Sequence, residues 1–477
     1  MSKQETTSGS EYQTGHSLSE IIRLNDSSLK RCEKSWASPL KNRLKVVWIC
    51  HFSNKDVRNK LDFSYSSIEK LIRKILKKPL DYKRDFAPWI NNLIKEFEKF
   101  TDVELHIIAP HSGMRDKVNS FSLNGVSYHF FKPQGGNLSS KIKSKITNSK
   151  EIKFNETRSV ISDFISEIKP DIINLIGAEN PRYSIAALDV VDIPTYLSCQ
   201  TVYTNPQRKI YSNDCDKIRW DLELQIHEKI KYFGCLGRMH RDLVLKNNQN
   251  AIIFKNFFPI QKPGKVELLP KKYDFVFFGG LTKQKGIVDA FEALAVVKKV
   301  KINTSLNVTG ACSSSYKKYL LQKISELGIE GNVTFNDYFP FHSDMHQHIT
   351  QGRCAVLPIK LDVTSSALKE AMLLEIPVVT YKTSGTPYLN KDGECVLISE
   401  IDDVQGLAKN MIKVIQNPDY AKNMAIKAKA FVEREFDNTM SAKRLRANYY
   451  AVLDHYHNGT PIPEELLFNT DEFPSYN

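Results

Sequence analysis

Short apolar runs recur along this chain, too short for helices and too continuous for strands with one wet face. In the first half they occupy residues 46–50 (VVWIC), 103–110 (VELHIIAP), 171–177 (DIINLIG) and 195–199 (TYLSC), with helix-like stretches at 88–100 and 158–168. A strand that is apolar on both faces needs cover on both faces, so the rhythm predicts parallel sheets wrapped by helices. It halts at residues 257–273, FFPIQKPGKVELLPKKY, where three prolines and several lysines argue for a linker. It then resumes at 275–279, 306–310, 333–335, 355–359, 378–381 and 395–399. Ile287, Val288, Phe291, Leu294 and Val297 share one face at helical spacing, and helical patterns dominate from about residue 404 to 456.

The fold class expected is α/β: two doubly wound, Rossmann-like domains facing a central cleft, with a helical C-terminus. The expected limits are a polar, flexible lead-in over 1–40, a first domain over 41–262 and a second over 263–438. A helix and tail over 439–477 could cross back to the first domain. A length of 477 residues suits such an arrangement. In doubly wound sheets ligands bind beyond the carboxyl ends of the strands, which makes the cleft the expected site.

Charge is distributed unevenly. Residues 1–265 hold 43 Lys and Arg against 29 Asp and Glu, a net of +14, and the remainder carries −1. Residues 68–84 (IEKLIRKILKKPLDYKR) contain seven basic and two acidic residues, with Ile68, Leu71, Ile72, Ile75 and Leu76 as an apolar stripe. Two readings stay open: an interfacial helix on an anionic membrane, helped by the basic run at 141–153, or an amphipathic helix covering the domain core. Nucleic acid is not expected as a partner, because no recognised nucleic-acid module is visible. No apolar run approaches the roughly 18–20 residues that span a bilayer, and the polar N-terminus lacks a signal-peptide core. The expected location is cytoplasmic, or peripheral on the inner face of the cell membrane.

The eight cysteines show no metal or disulfide spacing, His346 and His348 form an isolated HxH, and Asp214-Cys215-Asp216 is a DxD lying ahead of a helix, where Asp216 suits a cap. No metal and no obligatory cofactor are expected.

Two segments of the second domain carry chemistry. In FVFFGGLTKQKG (275–286) a buried strand ends in Gly279 and Gly280, and a short loop brings Lys283, Lys285 and Gly286 to a helix start. Glycines admit backbone close to a ligand, and a lysine beside a helix N-terminus holds phosphate. The alternative is a plain strand–turn–helix with a solvated lysine. In LPIKLDVTSSALKEAMLLEIPVVTYKTSGTPYL (357–389) a strand runs into a loop with Asp362, and Thr364, Ser365 and Ser366 can cap the next helix. Its first N–H groups, around Thr364 to Ala367, offer an anion site, and Glu370 lies about one turn in. Ser384, Gly385 and Thr386 form a tight turn after the next strand. Taken singly, Asp362 reads as a loop acid and Glu370 as a solvated helix residue.

Together, GLTKQKG, DVTSSALKE and the following PVV and small-residue turn resemble the donor domain of the family 4, group 1 glycosyltransferases, over about residues 272–400. The resemblance implies the GT-B fold, transfer with retention, and a nucleotide-diphosphate sugar as donor. It departs from the family at Gly280, where an arginine is usual, with Lys283 as a substitute, and at Asp362, usually glutamate. It assigns Lys285 and the amides near Thr364, Ser365, Ser366 and Ala367 to phosphate, Glu370 to ribose and Asp362 to sugar hydroxyls. Gly279, Gly280, Ser384, Gly385 and Thr386 would line the nucleotide region. His51 and Gln200, in strand-end segments of the looser first-domain likeness, would face the reacting centre. The acceptor implied is a glycan or a lipid-linked one in cell-surface glycan synthesis. A sugar-nucleotide epimerase or hydrolase, or a catalytically weak binding protein, are the competing readings.

Overall fold

The computed structural model describes residues 43–63, 85–133, 154–212, 216–267, 269–336, 339 and 341–473. The 1–40 lead-in, the basic runs at 68–84 and 141–153, and Asp214 with Cys215 lie outside the described residues.

The first sheet contains β1 (Leu44–Ile49), β2 (Val103–Pro110), β3 (Val118–Leu123), β4 (Val126–Phe131), β5 (Ile172–Ile176), β6 (Thr195–Ser198), β7 (Tyr232–Cys235) and β8 (Ile252–Lys255), in spatial order β3-β4-β2-β1-β5-β6-β7-β8. Its described helices include α1 (Pro88–Phe97), α2 (Asn155–Ile168), α3 (Lys217–Lys229) and α4 (Arg238–Asn247). Every residue of β5 is buried, as a central parallel strand requires. The all-parallel expectation fails at one edge: β3 runs antiparallel to β4. Asn124 and Gly125 both take positive φ (52° and 79°), which gives a two-residue turn whose twist suits a hairpin. Asp216 caps α3, accepting from the Ile218 amide at 2.8 Å.

The second sheet is fully parallel. It contains β9 (Tyr273–Phe278), β10 (Leu306–Thr309), β11 (Val333–Asn336), β12 (Gly352–Leu357), β13 (Val378–Tyr381) and β14 (Leu397–Ser399), in order β11-β10-β9-β12-β13-β14. Its helices are α5 (Ile287–Lys298), α6 (Ser314–Glu326), α7 (His342–Ile349), α8 (Ser366–Leu373), α9 (Val404–Gln416) and α10 (Pro418–Glu435). The strand order reverses between β9 and β12. Right-handed crossovers therefore place α5 and α6 on one face and α7 and α8 on the other. The loops after β9 and β12 lie at that reversal, where doubly wound sheets bind ligands.

Residues 256–267 and 269–272 form neither helix nor strand, and the chain crosses back after α10. Asn438 clamps the two crossings: its Oδ1 accepts from the Ile260 amide at 2.9 Å and its Nδ2 donates to the Ile260 carbonyl at 3.0 Å. α11 (Asn438–Asn458) then packs on α1 and on the first sheet. Tyr449 Oη accepts from Asn174 of β5 at 2.6 Å, and Arg446 and Tyr450 both hold Asp102. The tail follows, and the Phe468 amide donates to Ile253 of β8 at 2.9 Å. Among the described residues no helix is long and apolar enough to cross a membrane.

Candidate active site

The site is built on the loops after β9 and β12, the two strands at the order reversal. Gly279 (φ 119°) turns the chain out of β9, and a single 3-10 turn, Lys283–Lys285, delivers it to α5. Gly286 sits in the left-handed region (φ 71°), and a Cβ there would lie 1.9 Å from the Pro358 carbonyl oxygen. Only glycine lets the two loops lie against each other. The Lys360 amide donates to the Gln284 carbonyl at 2.9 Å and closes that contact.

This close packing puts Lys285 Nζ 2.9 Å from Asp362 Oδ2. The other oxygen of Asp362 accepts from the Val363 amide at 2.9 Å. Burial pushes the Asp362 carboxyl up, but Lys285, then Lys369 and the Val363 N–H outweigh it and hold the carboxyl below its ordinary range. The Ser384–Thr386 turn is tied to the same loop. The Gly385 amide donates to the Val363 carbonyl at 3.0 Å, and a Cβ on Gly385 would meet Thr364 Oγ1 at 2.4 Å. The Ser384 hydroxyl is buried with no hydrogen-bond partner among the described residues.

α8 starts one residue after Thr364–Ser365. Capping by side chains was expected, but the N-cap Ser365 makes no side-chain bond to the helix. The helix start is left without a side-chain oxygen over it, a condition an incoming anion can use. Glu370, one turn further in, is 6% exposed, so it is not the solvated helix acid that a one-residue reading allows. Its Oε2 lies 2.9 Å from His346 Nε2 of α7. The HxH is thereby split: His346 faces Glu370, and His348 Nε2 lies 2.9 Å from Asn307 Oδ1 of β10. Among the described residues no group of three or more His, Cys, Asp or Glu is placed to hold a metal ion.

The structure thus brings together Lys285, Asp362, the α8 start and the Ser384–Thr386 turn, while Glu370, further along α8, is paired with His346. Lys283 is directed elsewhere, its Nζ donating to the Ile210 carbonyl of the first domain at 3.1 Å. It also borders a cavity of about 520 Å³ with Asp289, Glu292, Tyr316 and Tyr319. That cavity lies among α5, α6 and α9, away from α8, and its Lys360 is already paired with Asp289 and Asp402. His51 and Gln200 belong to the other sheet. His51 follows β1, its ring centroid 4.4 Å from that of Phe86 and tilted 48° to it, and Gln200 is exposed just past β6.

Sequence reasoning passed over three groups. Lys369 is buried beside Asp362 and Glu370. His240 of α4 is buried with Nδ1 unpartnered; burial pushes it down to about 4 against the opposing pull of Asp362. Glu179 follows β5; its Oε2 is buried without a partner, and burial raises its carboxyl to about 7. A polar residue inside an apolar helical run (ALKEAML) was the one available signal for Lys369. For the other two, direction decides, and sequence spacing does not show it.

Residues 261–431 match the family described as "Glycosyl transferases group 1". Over 140 residues the chain is 23% identical to N-acetyl-alpha-D-glucosaminyl L-malate synthase of Bacillus anthracis, a match spanning 29% of this chain and little more than a third (36%) of that protein. Sucrose-phosphate synthase from Thermosynechococcus elongatus superposes with a TM-score of 0.61 at 12% identity, covering 85% of this chain and 98% of that one. Anabaena HepE, solved with UDP and glucose, superposes with a TM-score of 0.57 at 13% identity over the same shares. The two parallel-rich sheets, the return helix and these likenesses make the fold GT-B.

Proposed function

We propose that the protein is a retaining glycosyltransferase that moves a sugar from a nucleotide-diphosphate sugar to a glycan or lipid-linked acceptor in cell-surface glycan synthesis. The observation that supports the reading is the Lys285–Asp362 pair, 2.9 Å apart, just ahead of the uncapped start of α8 at the order reversal of the second sheet.

The difficult step is departure of the nucleoside diphosphate, on whose phosphates negative charge accumulates. Lys285 and the amides of Thr364, Ser365, Ser366 and Ala367 are fixed positive partners for that charge. When phosphate takes Lys285, Asp362 is released to accept from sugar hydroxyls. Glu370 accepts from the ribose, and Gly279, Gly280, Ser384, Gly385 and Thr386 line the nucleotide. The bond from the anomeric carbon to the phosphate oxygen breaks, and the acceptor oxygen bonds that carbon on the same face. The acceptor's proton passes to the departing phosphate oxygen. His51 and Gln200 approach from the first domain and orient the acceptor.

A thermal-shift screen against UDP, GDP and ADP and their sugars tests this. Saturating the right diphosphate at about 100 times its Kd stabilises the fold by about 2.7 kcal/mol. No shift with any of them counts against the donor site.

The same reading locates the protein in the cytoplasm, peripheral to the inner leaflet, with residues 68–84 as the anionic-lipid contact. The combined substitution Lys74→Glu, Lys77→Glu and Lys78→Glu should release it from phosphatidylglycerol vesicles in a sedimentation assay; equal binding before and after removes this part.

A further inference from the structure

We propose that the cavity of about 520 Å³ between α5, α6 and α9 is a saccharide-binding site, separate from the donor site, that takes a neutral, hydroxyl-rich ring. The inference goes beyond the donor reading and does not depend on it.

Three elements converge on this space. α5 supplies Asp289 and Glu292, α6 supplies Tyr316 and Tyr319, and the segment ahead of α9 supplies Asp402. The volume falls within the roughly 300–1,000 Å³ of small-ligand sites. Most of the charges around it are already engaged. Lys360 Nζ lies 2.8 Å from Asp289 and 2.6 Å from Asp402. The other oxygen of Asp289 accepts from Tyr381 Oη at 2.9 Å, and that of Asp402 from Tyr211 Oη at 3.3 Å. Lys283 donates to the Ile210 carbonyl at 3.1 Å. Glu292 is the exception. Among the described residues its half-buried carboxylate makes no hydrogen bond or ion pair. Lys323 of α6 does not supply one, because Glu326 holds it at 2.6 Å.

These pairings select the ligand. A phosphate or carboxylate would meet three acids and find both lysines held. A cation would meet those same two lysines. An apolar molecule would strip water from Glu292 and leave its oxygens unpaired, which is costly. A sugar ring satisfies every wall: its hydroxyls donate to Glu292, and its C–H face rests on an aromatic ring. Tyr316 and Tyr319 suit that contact. They lie three residues apart and so share one face of α6, with ring centroids 5.5 Å apart and planes inclined by 31°. Tyr319 is 41% exposed, so its ring is open to a ligand. The 3-10 turn Lys283–Lys285 is the wall between the two sites: Lys285 pairs with Asp362, and Lys283 borders the cavity. Ile210 and Tyr211 of the first lobe touch Lys283 and Asp402, which places this site where the lobes meet.

Saturation-transfer NMR on the full chain, with no nucleotide present, tests the proposal. The single-ring probes are the methyl glycosides of glucose, galactose, mannose and N-acetylglucosamine. Maltotriose and chitotriose are the chain probes, and methyl phosphate and putrescine are the charged controls. At least one neutral saccharide should receive saturation, and the charged controls should not. Equal response from rings and chains identifies a free sugar as the ligand; a stronger response from a trisaccharide identifies a glycan. Tyr319→Ala and Glu292→Ala, neither of them at a core position, should each weaken that binding by about tenfold or more at an unchanged melting temperature. Saturating UDP should leave it unaltered. No saturation of any saccharide, binding of methyl phosphate or putrescine instead, displacement by UDP, or undiminished binding in either variant overturns the proposal. Should one variant fail to fold, the other decides. A chain that shows no thermal shift with any nucleoside diphosphate, yet still binds a saccharide here, loses the donor reading and keeps this one.

Discussion

The two sheets present the same edge to the cleft and furnish it differently. On the second sheet, β9 and β12 end in loops that touch through Gly286 and Pro358, and their charged side chains are joined: Lys285 to Asp362, and Glu370 to His346. On the first sheet, β1, β5 and β6 end in a histidine tilted against a phenylalanine ring, a buried carboxyl with a spare oxygen and an exposed glutamine. One edge is assembled before any ligand arrives; the other is left adjustable. Preorganised charge is most useful where charge builds during reaction, and an adjustable surface suits a partner of variable shape.

Substitutions can break this contrast. The largest effect is expected at the assembled edge: Glu370→Ala, or Lys285→Ala, should reduce nucleotide release by about 10²–10³-fold at saturating donor, the scale of losing one preorganised charge-stabilising contact. Unchanged rates in both variants would show that the second edge is not the chemical one. Next comes Gly286→Ala, which combines left-handed strain with a clash against Pro358 and should lower stability by about 2–5 kcal/mol in denaturant unfolding. An unaltered midpoint would mean that the β9 and β12 loops can part without cost. The smallest effect is expected at the adjustable edge: Gln200→Ala should change kcat by less than about tenfold and leave donor hydrolysis intact. A loss matching that of Glu370→Ala would place the two edges on equal footing.

The two-sheet plan was legible because parallel strands buried on both faces write continuous apolar runs, and VVWIC, IINLI and YDFVFF all fall in β1, β5 and β9. The loops that carry Lys285 and Asp362 were legible too, because each follows an apolar strand, and the two side chains lie 2.9 Å apart. The β3–β4 hairpin was not read, although Asn124-Gly125 is a strong turn signal. Its outer strand alternates between exposed and half-buried residues, so it never forms an apolar run. Lys369 escaped for another reason: composition marks a lysine as a surface residue, and only the Phe436 ring, 67 positions later in the chain, shows that this one points inward.

α11 and the tail have a consequence for biosynthesis. Because Tyr449 and Phe468 bond strands β5 and β8, the first lobe lacks part of its packing until α11 and Phe468 have been synthesised. The second lobe, translated later, meets the tail through Tyr388, whose ring stacks 4.5 Å from Phe473. Cutting the chain before the return helix should therefore leave the early lobe open to proteases during synthesis.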